Sequence, residues 1–194
     1  MTTEEIKKIL EAELDKKRFT HSIGTAETAV KLAKKFDIDP VRIEIAGLLH
    51  DCAKGMSVDN QIDFAYKHSI ELDPWLLKNP GIIHTKIGAY LAVHKYGIPE
   101  NDGEILNSII YHTTGFADMG MFEKIIYVAD YIEPNRDYSK REKFYKSAFD
   151  TFEEAVLKIT VNKMKYVIKK KTILHPWSIE FYNSLVEARQ FSPI

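Results

Sequence analysis

The chain has 194 residues, which sets an expectation of one domain of ordinary size at roughly 100 to 200 residues each. Its 27 basic and 28 acidic residues leave a formal charge of -1, so nothing in the balance advertises a nucleic acid or a membrane as partner, and any anion binding has to be local. Hydrophobic residues at 45% and charged residues at 28% exclude a disordered chain, and the lone Cys52 excludes an intrachain disulfide and a zinc site of several thiolates, which makes a reducing cytoplasm the expected compartment.

The N-terminal segment lacks the basic-then-apolar order of a secretory signal, and no stretch approaches the ~18 apolar residues of a membrane span. Apolar residues instead recur at spacings of three and four, as in Ile6, Ile9, Leu10 and Leu14 and again in Ile23, Ala26, Val30 and Ala33. The pattern predicts helices over about 3–17, 21–36, 41–53, 57–68, 82–96, 102–112, 119–132, 139–148, 150–170 and 178–190, with ends uncertain by ~2–4 residues. Thr2 with Glu5 forms a capping-box pattern, and Asp39-Pro40 supplies an N-cap followed by a first-turn proline. Gly55, Gly97 with Pro99, and Pro134 mark helix ends. No strand is expected. With no repeat or linker, the expected fold is all-α, a compact helical bundle forming one domain over 1–194. The basic run from Lys163 to Lys171 lies within a helical pattern, reads as a solvated face and is assigned no role.

Polar residues with chemistry to offer cluster at predicted helix ends. His21 opens a helix, His50-Asp51 lies near the end of another, His84 begins a third, His112 ends a fourth, and Asp130 lies late on a fifth. Imidazole nitrogen and carboxylate oxygen suit iron, manganese, zinc and similar divalent ions, so five helices can converge on one metal centre. Adjacent residues on a helix diverge by about 100°, so His50 and Asp51 share a pocket only if it straddles their common edge. Among Ala46, Gly47, Leu48, Leu49, Cys52 and Ala53 the pair is carried into the core, where an unpaired carboxylate is costly. Metal ligation removes that cost; a metal-free His–Asp hydrogen bond is the simpler alternative. Asp130, among Ile125, Ile126, Val128 and Ala129, likewise calls for a metal or for Arg136 or Lys54 as partner. His94 lies about 80° off the face of His84 and is rejected, while His68 reads as exposed. His112 leads into Thr113-Thr114-Gly115, hydroxyls and a glycine able to aim backbone N–H groups at an anion.

The order His21, His50-Asp51, Asp130 resembles the HD-domain metal-dependent phosphohydrolases, an all-helical superfamily. Arg18-Phe-Thr-His21-Ser22, Ala46-Gly-Leu-Leu-His50-Asp51-Cys-Ala-Lys54, His84, His112-Thr-Thr-Gly115 and Val128-Ala-Asp130-Tyr-Ile-Glu-Pro134-Asn-Arg136 are similar to the YqeK-type bacterial branch, whose members are symmetrical dinucleoside tetraphosphate hydrolases. The resemblance implies an HD core over about 18–135, with the C-terminal helices and a nucleotide-covering tail over about 136–194. It implies that His21, His50, Asp51 and Asp130 hold iron, as one ion or two, with manganese or another divalent ion as substitute. His84 and His112 then either hold a second metal or contact phosphate, and Asp51 bridges in the two-metal case. Thr172-Ile173-Leu174-His175-Pro176 matches the segment that closes over the nucleotide in that family. Where the family often carries Arg-Asn beyond it, Tyr182-Asn183 stands, so no phosphate contact is assigned to Tyr182.

The expected reaction is attack of metal-activated water on an inner phosphate of diadenosine tetraphosphate, releasing two ADP. Asp51 and Lys54 carry the catalytic role. Lys54, four residues beyond His50, and Arg18 and Arg136, three residues before His21 and six after Asp130, are placed to meet phosphate, a surface salt bridge being the alternative for each. Thr113 and Thr114 join the phosphate side. Phe116, Trp177 or Ile173-Leu174 can wall the adenine, although aromatic residues at helical spacing are more often core. A homodimer is compatible with the sequence. The alternatives are a phosphohydrolase of ordinary mono- or triphosphates and a nucleotide-sensing module without turnover, which predicts a damaged ligand set.

Overall fold

Short polar side chains set the helix starts. Thr2 accepts from the Glu5 N–H while the Glu5 side chain accepts from Thr2, opening α1 (Thr3–Glu13) with the predicted capping box. The helix expected to run to residue 17 stops there, because Asp15 accepts from the Arg18 N–H and starts α2 (Lys16–Ala33). His21 therefore sits in the second turn of α2 and does not open it. Asp39 caps α3 (Pro40–Leu49) as expected, Ser57 caps α4 (Val58–Lys67), and Asp73-Pro74 repeats the Asp39-Pro40 signal to start α5 (Pro74–Lys78), a helix that periodicity alone passed over. There follow α6 (His84–His94), α7 (Gly103–Tyr111), α8 (Met121–Ile132), α9 (Arg141–Asp150), α10 (Phe152–Lys169) and α11 (Pro176–Gln190).

The computed structural model describes residues 1–190, and no strand occurs among them. The last four residues of the unit expected over 1–194 lie outside the described residues. The helix expected over 41–53 ends at Leu49 and resumes as a 3-10 turn over Cys52–Gly55, which leaves His50 and Asp51 at the break. The helix expected from 82 begins at His84, behind a 3-10 turn over Pro80–Ile82. In both places a histidine stands just past a helical turn, after α3 for His50 and after the Pro80–Ile82 turn for His84, where main-chain carbonyls are exposed for side-chain partners.

Helix α8 is the axis of the molecule. Its run from Phe122 to Ile132 is buried almost without interruption, and α2, α3, α7, α9 and α10 pack around it. A smaller apolar group of Ala53, Ala65, Leu76, Ile83 and Ile87 joins α4, α5 and α6 beyond the break after α3. The candidate site lies where these two parts meet. Helix α10 packs on α8 through Phe152, Ala155, Val156, Ile159 and Thr160, and α11 covers it, with Phe181 edge-on to Tyr127 at 5.3 Å between ring centroids. Among the described residues, no helix is long and apolar enough to cross a membrane.

Two expectations for histidines outside the site resolve differently. His94 is exposed against the Tyr90 ring, at 4.0 Å. His68, expected to be exposed, is half-buried: its Nδ1 lies 2.9 Å from the Tyr90 hydroxyl and its ring lies 4.2 Å from Phe64. The correction comes from Tyr90, a partner on another helix that sequence neighbours did not reveal.

Helices α2 and α3 carry His21 and His50, and their separation is set by Gly47. A Cβ at that position would lie 2.6 Å from the Ala26 Cα, a backbone atom that cannot swing aside. Gly47→Ala must therefore push the two helices apart. The expected cost is about 1–3 kcal/mol, the usual range for overpacking. At roughly 2–4 °C per kcal/mol for a chain of this length, thermal melting followed by circular dichroism should fall by several degrees; an unchanged Tm would contradict the close approach.

Candidate metal centre

Four histidines, on four different helices or helix ends, share one arrangement. Each ring has its Nδ1 engaged on the outside: His50 with the Gly47 carbonyl at 2.7 Å, His84 with Gly81 at 3.0 Å, His112 with Ile109 at 2.8 Å, and His21 with the Glu133 carboxylate at 3.0 Å. In the first three the acceptor lies three residues back in the chain. His50 and His112 are the C-caps of α3 and α7, so their N–H groups satisfy carbonyls that the ending helix leaves without partners. With Nδ1 donating, Nε2 is left to turn inward.

The inward nitrogens meet two carboxylates. Asp130 Oδ1 lies 3.2 Å from His21 Nε2 and 3.7 Å from His50 Nε2, which are themselves 3.1 Å apart. Asp51 faces both sides of the cluster: Oδ2 lies 3.6 Å from His50 Nε2 and 3.7 Å from His21 Nε2, whereas Oδ1 lies 3.1 Å from His112 Nε2 and 3.3 Å from His84 Nε2. His50, Asp51, His84, His112 and Asp130 are all buried. Two groups of ligand atoms, His21 with His50 and Asp130, and His50 with Asp51 and His112, each fall within 4.8 Å of one another. All six residues expected to surround a metal are thus brought into one cluster.

Burial pushes His50 down to about 3, and burial together with the nearby Lys54 pushes His84 down to about 4, so both rings are neutral at physiological pH. Burial works against ionisation of Asp51 and Asp130 but is overcome. His50 and Lys54 hold the Asp51 carboxyl well below the usual range, and Arg136 and Lys163 do so for Asp130. Neutral imidazoles with Nε2 lone pairs facing ionised carboxylates need a positive charge between them. A divalent ion meets that need, and the nitrogen and oxygen donors suit iron, manganese or zinc.

Cations ring the cluster. Lys54 Nζ lies 3.0 Å from Asp51 Oδ2, pairing with the residue three before it. The Arg136 guanidinium donates to Asp130 Oδ1 and, at 2.9 Å, to the Asp130 carbonyl, and one of its nitrogens lies 3.3 Å from His21 Nε2. Arg18 stays outside, paired with Asp15 at 3.0 Å in the first turn of α2. Thr113 and Thr114 follow His112 with buried hydroxyl oxygens that lack a hydrogen-bond partner among the described residues. The Gly115 N–H donates to the Tyr111 carbonyl at 2.7 Å. Its φ of +72° is the left-handed conformation that closes α7.

The tail segment docks beside the cluster. Asn79 donates to the Ile173 carbonyl at 3.1 Å, and the Thr172 hydroxyl donates to the Val167 carbonyl at 3.4 Å. Half-buried Leu174 leads to buried His175, whose Nε2 lies 3.4 Å from Asp73. Pro176 then opens α11, and Trp177 sets its ring edge-on to Tyr111, the residue before His112, at 4.8 Å. Phe116 lies against the same Tyr111 ring at 4.4 Å, which groups the aromatic residues considered for adenine.

Two members of the cluster escape the sequence reading. Glu133 is buried and fixes His21, while its second oxygen accepts from the Asn135 N–H at 2.7 Å. Lys163, first of the basic run read as a solvated face, points inward to Asp130 Oδ2 at 3.4 Å and to the His112 carbonyl at 2.9 Å. Its signal was the buried period 152, 155–156, 159–160 on α10, which continues to 163.

An all-helical chain that gathers histidines and aspartates from five helices around one ion-sized centre is built as a metal-dependent hydrolase of the HD type. The HD domain model matches residues 18–135, and the chain belongs to that family. Over 186 residues it is 34% identical to the symmetrical bis(5'-nucleosyl)-tetraphosphatase of Bacillus subtilis, covering 96% of this chain and 98% of that protein. The protein of the same name from Staphylococcus aureus is 32% identical over 185 residues, 94% of each chain. A crystal structure of a predicted HD superfamily hydrolase involved in NAD metabolism from Clostridium acetobutylicum superposes with a TM-score of 0.90 at 36% identity, covering 97% of this chain and 98% of that one.

The cluster predicts proton release on loading. Burial disfavours charge on His21, but hydrogen bonds to Asp130 and Glu133 outweigh it and raise its pKa to about 9. Below that pH the metal-free protein holds a proton on His21 that an incoming ion must displace. Calorimetric titration of Mn²⁺ at pH 7.5, in two buffers of different ionisation enthalpy, should show about one proton released per chain. Affinity should rise with pH and level off near 9; absence of proton release would contradict the assigned state of His21.

Proposed function

We propose that this chain hydrolyses dinucleoside polyphosphates, cleaving diadenosine tetraphosphate symmetrically to two ADP. The observation that carries the reading is the set of four imidazoles, each tied at Nδ1 and turned at Nε2 toward Asp51 and Asp130. The near full-length similarity to proteins named symmetrical bis(5'-nucleosyl)-tetraphosphatases supplies the substrate class.

His21, His50, Asp51 and Asp130 hold the ion, with iron the first expectation and manganese a substitute. His84 and His112 serve a second ion or the phosphates, Asp51 lying between the two sides. When bound, the ion acidifies water and polarises the phosphorus–oxygen bond. The remaining work falls to the chain itself. Lys54, 27% exposed at its side chain, and Arg136, 42% exposed, line the open side of the cavity, where an arriving polyphosphate meets them. Arginine can grip two phosphate oxygens at once and lysine acts as a point charge, so the pair can fix one inner phosphate with the bridging oxygen in line for departure. Arg18, three residues before His21, reaches the outer phosphates once released from Asp15. The hydroxyls of Thr113 and Thr114 supply donors beside His112. Thr172 to Pro176 and the aromatic group of Tyr111, Phe116 and Trp177 hold one ADP half, and that fixes which anhydride is cut. Water adds to one inner phosphorus and gives up its proton to solvent, the bond to the central oxygen shared by the two inner phosphorus atoms breaks, and the second ADP leaves as an anion that needs no protein proton donor at neutral pH.

Purified without chelator, the protein should retain a divalent metal and convert diadenosine tetraphosphate to ADP alone. Release of AMP with ATP, or preference for mononucleotides across a substrate panel, would reject the symmetrical reading. Chelation should abolish turnover, and added Fe²⁺ or Mn²⁺ should restore it. Asp51→Ala should reduce turnover at least ~10³-fold with helicity preserved, whereas Lys54→Ala should raise KM while metal content stays within about twofold. Equal loss of metal and activity in Lys54→Ala would place that residue among the supports of the ion.

A further inference from the structure

Asp130 has two oxygens, and they are treated differently. Oδ1 faces His21 and His50 and accepts from Arg136. Oδ2 is turned away toward α10, where Lys163 Nζ meets it at 3.4 Å. The same ammonium donates to the His112 carbonyl at 2.9 Å and stands 3.8 Å from the centre of the Tyr127 ring. Its three N–H directions thus have a carboxylate, a carbonyl and an aromatic face to meet.

Charge neutralisation alone does not explain this lysine. Arg136 already pairs with Asp130, and it does so from the solvent side. Lys163, with only 18% of its side chain exposed, adds a second cation at a substantial desolvation cost. What it adds is direction. A carboxylate held at one oxygen only can rotate and exchange its oxygens; held at Oδ2 from behind, Asp130 keeps Oδ1 toward the imidazoles. Through the His112 carbonyl, the same group ties the end of α7 to α8, joining the two sides of the cluster.

We infer that Lys163 is a positioning residue, fixing Asp130 and His112 in register for ion binding from outside the stretch matched by the HD model. This rests on the metal-dependent reading above. Loss of a group that orients a metal ligand typically costs ~10–100-fold in affinity.

The test measures Mn²⁺ affinity of the metal-free full-length chain by chelator competition, with helicity checked by circular dichroism. The variants are Lys163→Met, Lys163→Gln and, as a control of equal charge change on the exposed face of α10, Lys165→Met. Both Lys163 variants should bind Mn²⁺ ~10–100-fold more weakly with helicity unchanged, and Lys165→Met should stay within about twofold of wild type. The visible spectrum of the Co²⁺-loaded protein should change for Lys163→Met and not for Lys165→Met. Wild-type affinity in both Lys163 variants, an equal loss in Lys165→Met, or a loss accompanied by melting of the helices in both Lys163 variants would overturn the inference. A wild-type chain that holds no divalent ion would overturn the metal reading and this inference together; wild-type binding with an unaffected Lys163→Met would overturn this one alone.

Discussion

The structure depends on how imidazole rings are anchored at the ends of helices. An α-helix leaves its last carbonyls without main-chain partners, and a histidine just beyond can fill one of them with its own ring N–H. His50 and His112 do this at the ends of α3 and α7, and His84 repeats the geometry with the Gly81 carbonyl behind α6. One hydrogen bond therefore does three things: it completes a backbone turn, selects the tautomer, and aims the other nitrogen at the centre. Because the acceptor belongs to the backbone, the aim is as rigid as the helix. His21 lies inside α2, where the local carbonyls are already engaged, and a buried carboxylate from the end of α8 takes their place.

That difference has an electrostatic consequence. A carbonyl acceptor leaves its imidazole neutral in a buried setting, as at His50 and His84. A carboxylate acceptor favours the charged ring, as at His21. The metal-free cluster thus keeps one proton of its own, on His21, whose ring nitrogens face the carboxylates of Asp130 and Glu133 at 3.2 and 3.0 Å. The positive charge that the lone pairs require is supplied by that proton until an ion replaces it.

Much of this was legible in the amino-acid order because polar residues at apolar helix ends stand out. His50-Asp51 among Leu49 and Cys52, and Asp130 within Ile125 to Ile132, have no cheap structural explanation, and their order matched a known pattern. The break after Leu49 was not legible, since the apolar periodicity runs on through it. It is this break that lets two neighbouring residues face one cavity, a thing an unbroken helix resists at about 100° per residue. Lys163 was hidden by its neighbours: in a run of lysines, the one member on the buried stripe of α10 looks like the rest. Glu133 was hidden differently, as an acidic residue just past a helix end, a place where carboxylates are ordinarily solvated.

Charge bookkeeping around the centre explains how a chain with a net charge of -1 can take a polyanion. Asp51 pairs with Lys54, Asp130 with Arg136 and Lys163, and Glu133 with the His21 ring, so three carboxylates stand with three ammonium or guanidinium groups. The protein groups are close to balance before loading. A divalent ion that displaces the His21 proton then raises the local charge by one, and two ions would raise it by about three, in a cavity whose buried walls screen poorly. The excess is open on the side where Lys54 and Arg136 reach solvent, and a chain of phosphates, as in the proposed substrate, has the charge to cancel it. Affinity for a polyphosphate is on this account a property of the loaded centre. The near-neutral surface need contribute nothing to it.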